Sequence, residues 1–112
     1  MIASYAKLGA YFSFNGHRLG APAASTRAER IQALVRALPE ERMLVETDAP
    51  AMPLPRERRR FALPVRTDGT EVAHPADLVA AQAALAELRG AEPTALAGHL
   101  EQNFHALFGP DW

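Results

Sequence analysis

The chain is 112 residues long, 48% hydrophobic and 22% charged, with a formal net charge of -1, the size and balance of one small globular domain. So small a charge supplies no general field for gathering nucleic acid, and any anion binding has to come from a local cluster. Cysteine is absent, which excludes disulfides and thiolate chemistry.

Met1 to Phe14 carries Lys7 among Ala and Tyr residues, without the charged segment and long apolar run of a signal peptide. No stretch of about 18 apolar residues follows, so no spanning helix and no membrane partner are expected, and the cytoplasm is the expected compartment. Leu8–Phe14 is aromatic-rich and bounded by Asn15-Gly16, which predicts a strand ending in a turn. Thr26-Arg27-Ala28-Glu29 has the form in which an N-terminal hydroxyl and a glutamate satisfy each other's backbone donors, so a helix should start there. Ile31, Leu34, Val35 and Leu38 continue it as an apolar stripe until Pro39.

Met43-Leu44-Val45 lies between Pro39 and Pro50, which leaves room only for a second strand, Met43 to Glu46. A strand–helix–strand unit is expected to be parallel and right-handed, with both strand ends, near Ser13-Phe14 and near Asp48, on one edge. Residues 49–74 hold no sustained periodicity and are interrupted by Pro50, Pro53, Pro55, Pro64, Asp68 and Gly69. Loops of that length in a compact domain tend to be functional or disordered. A helix is predicted from Pro75, with Leu78, Ala81, Leu85 and Leu88 on its apolar face and Gly90 at its end. A last helix from Pro93 is predicted to bury Leu96, Leu100, Phe104, Leu107 and Phe108 before Gly109. Two strands and three helices leave two sheet edges unpaired, so the chain reads as a portion of something larger.

Three groups of residues are candidates for chemistry. Active sites of parallel α/β proteins gather at the carboxyl ends of strands, where Asp48 would stand with Glu46 one alternation behind it. Spacing leaves a turn-capping role, an ion pair and a metal or proton-transfer role all open for these carboxylates. His17, His74, His99 and His105 show no close ligand spacing, and surface or satisfied positions suit them better than metal binding. Arg56, Arg58, Arg59 and Arg60 crowd five positions of the long loop. They read either as a solvated loop or as contacts to a nucleic-acid backbone, with Phe61 placed to stack on a base.

Four segments together resemble the C-terminal part of the TatD family of metal-dependent hydrolases. They are Gly9-Ala10-Tyr11-Phe12-Ser13-Phe14-Asn15-Gly16, Arg42-Met43-Leu44-Val45-Glu46-Thr47-Asp48-Ala49-Pro50, His74-Pro75-Ala76-Asp77-Leu78 and Asn103-Phe104-His105-Ala106-Leu107-Phe108-Gly109. The order and spacing cover almost the whole chain. The resemblance implies an α/β fold, the last two βα units of a TIM (β/α)8 barrel, incomplete as given, forming a single partial domain over residues 1–112. It implies a site with two divalent metal ions, of magnesium or manganese type, that hydrolyses phosphodiester bonds, commonly in DNA. Asp48 would be the family's last metal ligand, catalytic in orienting or deprotonating the attacking water.

The family's N-terminal His-x-His, its mid-barrel glutamate and its two later histidines have no counterpart here, and Ala73 stands where the family usually has Asn. Barrels of this kind need roughly 250 residues. The expectation is a C-terminal fragment of a TatD-like hydrolase, inactive by itself and unable to hold the two metals alone. The alternatives are an interaction module that completes its sheet with a second copy or an N-terminal fragment, and nucleic-acid binding through Arg56–Arg60 without catalysis.

Overall fold

Pro39 and Pro50 bracket an apolar run too short for a helix, and strand β2 forms there over Met43–Glu46, as predicted. Its partner, β1, spans Phe12–Asn15. They pair in parallel, Phe12 opposite Met43 and Asn15 opposite Glu46, as a two-stranded sheet. The structure, a computed structural model, describes residues 2–19 and 26–112.

The strand expected over Leu8–Phe14 is shorter and later in the chain. Ile2–Lys7 forms helix α1, whose end is closed by the Leu8 N–H donating to Ser4 O and Tyr5 O and by Gly9 at φ 88°. Leu8 is 83% exposed, so its apolar character marks neither strand nor core. The predicted Asn15-Gly16 turn is also replaced: Asn15 ends β1, and Gly16 opens the short helix α2, Gly16–Leu19. A Cβ on Gly16 would stand 2.4 Å from Ala81 Cβ and 3.0 Å from Leu54 Cδ2. Only glycine lets α2 lie this close to the helix carrying Ala81.

Helix α3 occupies Thr26–Ala37, starting where the Thr-x-x-Glu pattern predicts. Its last carbonyls find a donor from outside, since the Arg89 guanidinium bonds Val35 O at 2.6 Å and Leu38 O at 2.9 Å. Helix α4, Leu78–Arg89, follows a 3-10 turn at Pro75–Asp77 and ends on Gly90 in the left-handed conformation at φ 63°. Helix α5, Pro93–Phe108, starts on Glu92, whose carboxylate accepts the Ala95 N–H at 2.7 Å. Val35, Leu38, Met43, Leu85, Leu96 and Leu100 form the centre of the core between these helices and β2.

Two predicted apolar faces are corrected. On α4 the predicted Ala81 and Leu85 are buried and Leu88 packs against the core, with Ala80, Ala84 and Ala86 also turned inward, but Leu78 is exposed. On α5 only Leu96, Leu100 and Asn103 are buried, while Phe104, Leu107 and Phe108 are 38%, 46% and 52% exposed. Helical spacing identifies an apolar face, but whether anything covers it depends on what lies opposite. Phe104 packs on Phe108 instead, with ring centroids 4.7 Å apart.

Asn103 joins α5 to the start of the sheet: its amide donates to Glu40 O at 2.8 Å and to Met43 O at 2.9 Å. Met43 N–H donates to Glu40 O, so both backbone groups of Met43 are engaged away from β1. Alternation along the strand then aims the N–H and C=O of Val45 the same way, toward the edge of β2 that no described strand pairs. Among the described residues, no helix is long and apolar enough to cross a membrane.

Candidate functional site

Parallel pairing brings the C-terminal ends of β1 and β2 together, and with them four polar side chains 33 residues apart in sequence. Ser13 Oγ donates to Glu46 Oε2 at 2.7 Å, and Asn15 Nδ2 donates to Asp48 Oδ2 at 2.5 Å. The orientation of the Asn15 amide is fixed, because its Oδ1 accepts the His17 N–H at 2.7 Å and Nδ2 must therefore face Asp48. Asp48 is held from its backbone side as well, its carbonyl accepting the Ala51 N–H at 2.7 Å. Both carboxylates are exposed. They line a cleft of about 380 Å³ with Ser13, Asn15, Arg18, Arg27 and Met52. The expected convergence of Glu46 and Asp48 on one side of the strand end is what the structure shows.

Chemically, this edge presents two carboxylates whose hydrogen-bond partners are neutral donors, with Arg18 and Arg27 lining the same cleft. A divalent ion takes six or more oxygen ligands, which two carboxylates supply only together with further protein, water or substrate oxygens. Among the described residues, no group of three or more His, Cys, Asp or Glu side chains is placed to hold a metal ion.

The histidines behave as satisfied side chains. His17 Nδ1 lies 2.7 Å from Pro53 O and is the nearest to Asp48 through Asn15. His74 Nδ1 accepts the Ala76 N–H at 3.0 Å. His99 meets the Glu40 carboxylate, and His105 lies 3.2 Å from Gly109 O.

The arginines of the long loop are not part of the strand-end cleft. Arg56 and Arg59 both grip Glu71, with Arg59 Nη2 2.6 Å from Glu71 Oε2. These two guanidiniums, Arg59 first, hold the Glu71 carboxyl below the ordinary carboxylate range. Arg59 Nε also bonds Leu54 O at 2.5 Å, and Arg58 turns away to Glu87 at 2.9 Å. The guanidinium of Arg60 has no hydrogen bond or ion pair to any described residue, and only its backbone N–H is engaged.

That backbone contact leads to a residue the sequence reading missed. Asp77 is 2% exposed, and its Oδ1 accepts the N–H groups of Arg60 and Phe61 at 3.0 and 3.1 Å. Its Oδ2 has no partner among the described residues. With Ala73 at the family's Asn position, the loop is anchored by Asp77, by the Ala73 N–H donating to Pro50 O at 3.0 Å, and by Phe61 stacked on His74 at 5.1 Å. An aspartate just before a helix reads as a cap; nothing local says that it reaches back 17 residues.

Comparison with known proteins follows the same outline. A family model described as TatD related DNase matches residues 1–109. Among solved structures, YJJV, a TatD homolog from Escherichia coli K12, superposes with a TM-score of 0.72 at 27% identity, over 97% of this chain and 36% of that one. A TatD family hydrolase from Entamoeba histolytica superposes with a TM-score of 0.71 at 14% identity, over 97% of this chain and 38% of that one. The chain thus spans little more than a third of the length of these relatives. No curated protein matches it.

Proposed function

Because the chain belongs to the TatD related DNase family, whose model spans residues 1–109, we propose that it is the C-terminal portion of a metal-dependent phosphodiester hydrolase acting on DNA. In this reading β1 and β2 are the seventh and eighth strands of a (β/α)8 barrel. Asp48 is the one metal ligand that this portion contributes, and Asn15 holds its carboxylate in place. The observation that supports the reading most is the position of Asp48, exposed just past the end of a strand that runs parallel to its neighbour, with Glu46 beside it.

The remaining ligands for two ions of magnesium or manganese type belong to the other two thirds of such a barrel. On its own the 112-residue chain is inactive, because two carboxylates already bonded to Ser13 and Asn15 do not make a metal centre. Incubating the purified chain with a labelled DNA oligonucleotide and magnesium or manganese checks this, and no cleavage is expected. Cleavage that disappears in Asp48→Ala would overturn the proposal.

A second reading, an interaction module, is favoured by one observation: among the described residues the sheet has two strands and therefore two unpaired edges, and Phe104, Leu107 and Phe108 are exposed on α5. In that role the Val45 rung and these apolar side chains take a second copy or an N-terminal barrel fragment. Sedimentation of the chain alone, and mixed with such a fragment, distinguishes them. A compact monomer that binds neither itself nor the fragment sinks the module.

A further inference from the structure

Asn15-Gly16 is the one Asn-Gly step of the chain, and its side-chain amide lies against the Asp48 carboxylate. We propose that Asn15 is a self-modification site: its amide is lost to attack by the Gly16 backbone nitrogen, and Asp48 is the restraint that slows the reaction. The chemistry needs no metal and no second part of a barrel, so it stands apart from the hydrolase reading.

The step balances with water as the only other reactant. The Gly16 nitrogen gives up its proton and bonds to Cγ of Asn15, the Cγ–Nδ2 bond breaks, and the amide nitrogen leaves as ammonia. Water then opens the cyclic imide at one of its two carbonyls, giving aspartate from one and isoaspartate from the other. Nothing is oxidised or reduced.

Three features of the site favour ring closure. Glycine has no Cβ to shield its nitrogen. Asn15 Oδ1 accepts the His17 N–H at 2.7 Å, a turn that folds the side chain back over the Gly16 peptide unit and aims a donor at the oxygen on which negative charge develops. Asn15 also lines the open cleft of about 380 Å³, where water reaches the imide.

One feature opposes it. Nδ2 donates to Asp48 Oδ2 at 2.5 Å, and attack makes the planar Cγ tetrahedral, which swings Nδ2 off that line. The ionised carboxylate has no proton to hand to the departing nitrogen. Ser13 is bonded to Glu46 instead, so the restraint falls to Asp48. The product removes the donor that orients Asp48 and sets anion against anion in its place. The edge then carries three carboxylates, and Asp48 loses its fixed direction.

The test is mass spectrometry of tryptic digests of the 112-residue chain aged in mildly alkaline buffer. Peptide Leu8–Arg18 holds one Asn and no Gln, so conversion of amide to acid in it reports Asn15 alone. The native chain is expected to react at least tenfold more slowly than the chain in urea, and Asp48→Ala at least fivefold faster than the native chain. Asp48→Asn, whose amide oxygen still accepts from Nδ2, and Ser13→Ala should stay within twofold of it. Asn103, buried and followed by Phe104, should remain an amide throughout. Native reaction at the rate in urea overturns the proposal, and that comparison needs no variant to fold. Asp48→Ala reacting at the native rate overturns it too. So does equal acceleration by Ser13→Ala and Asp48→Ala, which would mean a general loosening of the edge. With metal left out, none of these results bears on the hydrolase reading.

Discussion

The strand-end edge and the loop after β2 both gather carboxylates, but they treat the charge in opposite ways. At the edge, Glu46 and Asp48 meet a hydroxyl and an amide, which orient each carboxylate and leave its charge intact. In the loop, Glu71 meets two guanidiniums and Glu87 meets a third, so charge is cancelled and the arrangement serves to fix backbone. Neutral donors suit a site that must attract a cation, and ion pairs suit a scaffold. Within the arginine run the exception is Arg60, whose guanidinium meets no described partner while Arg56, Arg58 and Arg59 are paired.

The sharpest way to break the contrast is to remove the support beneath one region only. Asn103→Ala deletes the amide that serves Glu40 O and Met43 O; Glu40 O keeps the Met43 N–H, but Met43 O loses its donor at the base of β2. A loss of about 1–3 kcal/mol in urea unfolding is expected, with faster amide exchange along Met43–Glu46 than in residues 56–71. A loss below about 1 kcal/mol would show that Asn103 does not carry the edge.

Gly16→Ala tests how the two regions are joined. The added methyl would enter the space of Ala81 and of Leu54, the residue whose carbonyl anchors Arg59. An overpacking cost of about 1–3 kcal/mol is expected, with both regions disturbed together. Calorimetry and backbone chemical shifts check it, and a shift pattern confined to α2 would count against the coupling.

Acid should then separate the regions. Glu71 is held below the ordinary carboxylate range by Arg59 and Arg56, and Asp68 in the same loop is held below it by its hydrogen bonds with Thr70. A depressed folded value means that such a group's contribution is complete above the unfolded value and is lost as pH falls through the lower folded value. Proteolysis by an acid-active protease should find the loop around Arg56–Arg66 increasingly open as the pH is lowered through that window. Glu71→Gln should make the same loop cleavable at neutral pH. Cleavage of Glu71→Gln at the wild-type rate would show that the ion pairs do not hold the loop.

These regions also differ in how far the sequence reveals them. β2, α3, the Gly90 end of α4 and the start of α5 are set by local signals, namely prolines bracketing an apolar run, the Thr-x-x-Glu pattern, a glycine and Pro93, and each boundary is found where it is predicted; the Glu92 carboxylate cap is seen only in the structure. Asp48 is legible at the end of β2 by the same local logic. Its partner Asn15 is not, because only the pairing of two strands brings them together. Helix α1 escaped notice because the aromatic residues that follow it dominate the pattern, and Gly9 rather than a capping residue separates the two. In the loop the arginine run is obvious, but which guanidinium stays free depends on where Glu71 and Glu87 lie, and no spacing rule gives that. The exposure of Phe104, Leu107 and Phe108 is invisible for another reason: an apolar stripe is written the same way whether or not its cover is present.

Arg60→Ala should have the smallest effect on stability, which is what makes it the most discriminating substitution. Its backbone N–H is bonded to Asp77 and is untouched by the change, and its guanidinium meets no described partner. An exposed side chain without partners is expected to alter unfolding free energy by no more than about 0.5 kcal/mol. A larger loss, read from the midpoint of urea unfolding, would mean that Arg60 belongs to the scaffold with Arg56, Arg58 and Arg59. The division of the run into paired and free guanidiniums would then fail.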